Sequence, residues 1–259
     1  MLAVGLVGLA RAVDGPEGGL VALLILAAIG VGAIGALARD QPRRGPLVAA
    51  VLPAVLAAGA AGAIRLVPVG LLLAPALALF AFGLSWLLRL EERIGSQPSG
   101  PTESDRALLV WGGSVAAFVA FTGVAAFVPG GMPDLAGSAA STTAGGDLVE
   151  GSLIAIALVD AVVASLIGYR LSALRYASVR HVTWSATTFA IVIAIAAGAA
   201  RAIDLPRLAS PAVLTLVLYL WDRLHGTSPA RRREARFVWE TALLAIVGMV
   251  VVAWNLGLR

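Results

Sequence analysis

Eight stretches of this chain are too long and too apolar for the surface of a water-soluble domain, and each is close to the length of a bilayer crossing. They cover residues 18–38, 46–64, 67–88, 107–128, 149–170, 182–202, 205–221 and 237–257. At 1.5 Å per helical residue, about 20 residues cross a hydrocarbon core of about 30 Å. Lipid offers the backbone no hydrogen-bond partners, so segments of this kind must satisfy their own amides and carbonyls as helices. The sequence therefore predicts an all-α integral membrane protein with eight transmembrane helices. Composition agrees: 13% of residues are charged and 59% are hydrophobic, against about 25% charged in soluble domains.

The charges left over sort by side. All 19 basic residues are arginine, and fourteen of them fall in alternate connections. These are Arg39, Arg43 and Arg44, then Arg89, Arg93 and Arg106, then Arg170, Arg175 and Arg180, and finally Arg223, Arg231, Arg232, Arg233 and Arg236. Arg11, Arg65, Arg201, Arg207 and Arg259 lie on the other side. The positive-inside rule makes the arginine-rich side cytoplasmic, so a multi-pass protein of the cell membrane with both termini outside is expected. Trp86, Trp111, Trp184, Trp221 and Trp239 fall at the cytoplasmic ends of spans, where amphipathic rings settle, and Trp254 at an outer end. Residues 1–13 are apolar but too short to cross, and read as an interfacial or re-entrant segment.

Within the eight spans a four-span unit recurs. Asp14-x-x-Glu17-Gly18 begins the first span and Asp147-x-x-Glu150-Gly151 the fifth. The second span ends AAGAAGAIRLVP from Ala57, and the sixth AAGAARAIDLP from Ala196. Pro75 and Pro211 mark the third and seventh spans, and VWGGSVAAFV and VWETALLAIV the fourth and eighth. An even number of spans keeps both copies in one orientation, which predicts a 4+4 parallel repeat about a pseudo-two-fold along the membrane normal. Residues 1–129 form the first unit and 147–259 the second, joined by a Gly/Ser/Thr-rich extracytoplasmic linker over 130–146.

Several chemistries are excluded by absence. There is no cysteine, hence no thiolate and no cysteine-based metal site. The lack of lysine removes Schiff-base chemistry and a P-loop lysine. The arginines line membrane edges and do not gather into one patch, so no nucleic-acid partner is expected. Arg231-Arg232-Arg233 reads instead as a cytoplasmic anchor to anionic lipid headgroups. No metal or cofactor signature is present.

Two sets of residues stand out as candidate sites. Asp14, Glu17, Arg65, Asp147, Glu150 and Arg201 fall at the outer ends of spans. Asp at an N-cap with Glu three residues on can satisfy free amides and complement the helix dipole, so capping with interfacial ion pairing is the architectural reading. The functional reading is an outer polar site. Asp160 differs: ten residues from both Glu150 and Arg170, it lies about 15 Å from either edge. A carboxylate at that depth costs about 2.5–3.5 kcal/mol on insertion scales, so it must face protein or water. Ala164, Ser165 and Gly168 follow it on a small-residue face suited to close packing. It aligns with Ala27 of the first unit and so breaks the repeat. One reading is a protonated Asp bonded to a neighbouring helix, the other a proton or ion site.

Pro53, Pro75 and Pro211 are expected to kink or interrupt their helices. Three functions compete. A small pseudo-symmetric carrier or channel would use Asp160. A membrane-embedded enzyme would use the outer set on a lipid-linked substrate. A non-catalytic subunit would scaffold a homo-oligomer or larger complex.

Overall fold

The computed structural model describes residues 46–68, 71–97, 100–127, 146–176, 178–203, 205 and 209–257, with side chains left out at 46, 127, 146–153, 229 and 255–257. The expected first span, Asp14, Glu17, and all of the linker but Gly146 lie outside the described residues. Among the described residues all regular structure is helical. The helices are α1 (Pro46–Ala63), α2 (Leu73–Ser96), α3 (Glu103–Phe127), α4 (Gly146–Ala173), α5 (Val179–Ala202), α6 (Ala209–Gly226), α7 (Pro229–Arg232) and α8 (Ala235–Gly257). A 3₁₀ turn, Ile64–Leu66, follows α1.

The long helices match spans two to eight. The largest difference is α2, expected over 67–88 and found over Leu73–Ser96. Pro68 precedes its start, and Leu87, Leu90 and Ile94 carry its buried stripe past the expected span end. Six helices are long and apolar enough to cross a membrane. The exception is α6, whose last turn carries Arg223 and His225 next to Asp222.

Pro75 and Pro211 correct the expectation of kinked helices. Each is the third residue of its helix, α2 and α6 respectively. In a first turn the missing N–H removes no helical hydrogen bond, so these prolines start helices and do not break them. Pro53 alone sits inside a helix, α1.

At the centre, α1, α3, α4 and α5 surround a core that includes Leu52, Leu109, Phe121, Ile167, Phe189 and Ile193. Two contacts hold it, and both depend on glycine. The α1 helix lies directly on α3: a Cβ added to Gly59 would come within 2.4 Å of Ala120 Cα, and one on Gly62 within 2.5 Å of the Gly123 carbonyl oxygen. Between α4 and α5, Gly168 seats Phe189, whose ring an added Cβ would meet at 2.6 Å. With no water to drive helices together inside lipid, such backbone approach is a main source of helix–helix attraction.

The expected repeat aligns Gly198 of α5 with Gly59 and Gly248 of α8 with Ala120, but no matching contact is seen among the described residues. Gly198 meets nothing within 4 Å, and Gly248 faces Leu216 of α6. In sequence, α1 has Gly59-x-x-Gly62 where α5 has Gly198-x-x-Arg201. The α8 helix rests on α6, with exposed Leu243, Ile246, Met249 and Val250.

Candidate functional site

Helix α4 positions Asp160. Ile156, Asp160, Ala164, Ile167 and Leu171 recur at helical spacing and all are buried, so the carboxylate lies on the inward stripe of its helix. Asp160 itself is 2% exposed. The register against α5 is set by Ser172 Oγ, which donates to Ser185 Oγ at 2.7 Å, and by Phe189 on Gly168. Extending that antiparallel register puts Asp160 level with Ala197, and Arg201 one turn further out. Arg201 is near enough for its charge to act on the Asp160 carboxylate.

Asp160 Oδ1 accepts no hydrogen bond from any described residue. The hydroxyls of Ser165 on α4 and of Thr187 and Thr188 in the first half of α5 bond to their own helix backbone. Ser165 donates to the Val162 carbonyl at 2.8 Å, Thr187 to that of Thr183 at 3.0 Å and Thr188 to that of Ser185 at 2.7 Å. A buried polar atom without a donor costs about 1–3 kcal/mol, so this arrangement is not one that stability alone would favour. In the expected repeat Asp160 and Arg201 align with Ala27 and Gly62, and in the structure the Arg201 charge acts on Asp160.

The outer set is only partly described. Arg65 lies in the 3₁₀ turn after α1. Asp147 falls in the first turn of α4 and Glu150 just beyond it, because that helix begins at Gly146. Asp147 therefore lies inside the helix and not at its N-cap position. The side chains of Asp147 and Glu150, and the whole of Asp14 and Glu17, are outside the described residues.

A second polar layer was not anticipated from the sequence. Glu91 of α2 and Arg170 of α4 are 1% and 6% exposed and form a two-pronged ion pair. Arg170 Nε donates to Glu91 Oε1 at 2.9 Å, and an Nη to Oε2. The pair closes the floor of a crevice of about 520 Å³ that also borders Arg175 and Tyr176. Similar pairs tie the neighbouring ends: Arg93 to Asp105 between α2 and α3, and Arg175 to Asp222 at 2.6 Å between the end of α4 and α6. Arg223 pairs with Glu240 between α6 and α8. Arg236, four residues before Glu240, makes the edge pair expected of that spacing, at 2.9 Å. The signal for Glu91 was present: Leu84, Leu87, Glu91 and Ile94 form one helical stripe, and its other three members are apolar. Among the described residues no three His, Asp or Glu side chains gather as a metal site would need.

Helices of bilayer length, apolar outward faces and buried charges paired across helix seams define a polytopic α-helical membrane protein. No protein family, curated protein or solved structure matches the chain, so its function rests on the residues themselves.

Proposed function

We propose that this protein is a small carrier or channel of the cell membrane that moves protons or another cation, with Asp160 as the group that takes up and releases the ion. One observation carries the reading: a carboxylate is buried in the middle of a membrane-length helix, and one of its oxygens has no described donor. Intramembrane carboxylates are costly and mark ion or proton paths when protein architecture does not require them. Here the architecture does not, since the first unit has alanine at the matching place. Arg201 gives the site a built-in counter-charge that competes with an incoming cation and favours its release.

The 4+4 duplication belongs to the same proposal, with the arginine-rich end cytoplasmic and both termini outside. It is supported by the ordered sequence matches and by the ion pairs, which gather the arginine-bearing ends of α2, α4 and α6 with the starts of α3 and α8 in one layer. A second reading, a non-catalytic subunit of an oligomer or larger complex, is favoured by α8, which rests on α6 and is otherwise exposed. Lipid solvates such a face equally well, so the carrier reading takes precedence.

The decisive measurement is ion flux in reconstituted vesicles with a trapped pH-sensitive dye. Asp160→Asn keeps the shape and removes the charge. It is expected to abolish proton movement or uncouple it from any co-transported solute, while the protein still inserts. Flux equal to wild type would remove Asp160 from the mechanism.

A further inference from the structure

We infer that the arginine-rich cavity at the junction of α6, α7 and α8 binds a phosphate-bearing anion. The cavity holds about 450 Å³ and is bounded by Tyr219 and Arg223 of α6, Arg231 of α7, and Arg236, Phe237 and Glu240 of α8. Three guanidiniums border it against two carboxylates, Glu240 and Glu234. Arg232 and Arg233 are exposed beside it.

Three arginines and the carboxylates Glu240, Glu234 and Glu103 balance here, and the exposed Arg232 and Arg233 add the positive excess. Glu240 is shared, since Arg236 Nε donates to its Oε1 at 2.9 Å and Arg223 to its Oε2. Arg223 is further held by the Tyr219 hydroxyl at 3.5 Å and by the Phe237 ring, whose centroid lies 5.0 Å from the guanidinium carbon. One carboxylate thus fixes two arginines in place without matching their combined charge. Arg231 is 62% exposed, and its contact is 3.4 Å to Glu103, itself almost fully exposed. A long contact between solvated groups holds Arg231 weakly, so it is free to turn toward an anion in the cavity.

The donor type narrows the ligand. Guanidiniums present paired N–H groups that match the oxygens of a phosphate, and hydrogen bonds between charged groups of this kind are about twice as strong as neutral ones. The position narrows it further. Phe237 is buried, Trp239 and Trp221 lie in the same turns, and the cavity sits where membrane-length α8 begins. That is headgroup depth, where the phosphate of an anionic phospholipid is at hand. A free phosphate or phosphorylated solute offers the same chemistry from water.

The test uses the intact protein in a mild detergent and two probes. Native mass spectrometry compares retained phosphatidylglycerol with phosphatidylcholine, and thermal unfolding reads stabilisation by inorganic phosphate. Arg231→Gln removes an exposed donor whose one side-chain partner among the described residues is the solvated Glu103 at 3.4 Å. It is expected to weaken anion binding about tenfold, the effect of one charge-assisted hydrogen bond. Arg180→Gln, an exposed arginine at the start of α5, is expected to change nothing. Selective retention of phosphatidylglycerol lost in Arg231→Gln supports the site with lipid as its source. Stabilisation by phosphate without lipid selectivity supports it with a soluble source. Equal retention of both lipids with no phosphate effect would overturn the inference, as would equal losses in the two variants, because diffuse surface charge would then account for binding.

Discussion

At the scale of single residues, two buried carboxylates in this protein solve the same problem differently. Glu91 is met by the fork of Arg170, one guanidinium nitrogen to each carboxylate oxygen, at the edge of the bundle. Removing one partner of such a pair strands the other and costs about 3–5 kcal/mol, whereas replacing both by apolar groups of similar size is often neutral. Glu91→Gln is therefore expected to lower the unfolding temperature markedly, and Glu91→Met with Arg170→Met to restore most of it in the same thermal assay. A single variant as stable as wild type would show that the pair does not join α2 to α4. Asp160 was legible because a carboxylate in the middle of an apolar run needs no partner to be conspicuous. Glu91 was harder to single out: its apolar stripe was readable, but it lies where a span meets a connection and charge is ordinary. What makes it unusual is that its stripe faces inward, and facing is a property of the assembled bundle.

At the scale of elements, glycine decides how closely α1 approaches α3. Gly59 and Gly62 allow α1 to touch α3 along the backbone, and backbone cannot be moved aside by a rotamer change. Gly59→Ala is expected to destabilise by about 2 kcal/mol or more, since the added methyl overpacks a contact already closed. Gly198→Ala, its counterpart on α5, meets open space. There the gain in helix propensity should leave stability unchanged or raise it by up to about 1 kcal/mol. Denaturant titration in detergent distinguishes the two. If both substitutions are equally mild, the α1–α3 contact is looser than described. The paired prolines teach the same lesson about position. Their matching places in the third and seventh spans were visible, but whether each kinked a helix depended on where that helix began. In α2 that start is Leu73, two residues before Pro75.

At the scale of the whole molecule, alternate helix ends are gathered into one polar layer. Arg93–Asp105, Glu91–Arg170, Arg175–Asp222 and Arg223–Glu240 all lie in it, each joining neighbouring helices. The asymmetric arginine distribution predicts that this layer faces the cytoplasm. The absence of cysteine makes the orientation directly testable. A cysteine at Arg233 should react with a membrane-impermeant maleimide only when the inner face is open, and one at Ala140 only from outside. Labelling of the Ala140 position from the cytoplasmic side would reverse the topology.

The sequence by itself determined that the described residues are helical, roughly where most of their spans lie, and which carboxylate is out of place in a membrane. Those properties follow from transfer free energies and from the need to satisfy every backbone amide in lipid, and both act locally along the chain. Tertiary structure alone decided that Arg201 stands near Asp160, that Glu91 and Arg170 meet, and that α8 leaves α5 uncovered. These depend on which faces of separate helices come together. Sequence period fixes the faces of one helix at a time, but only packing selects their partners.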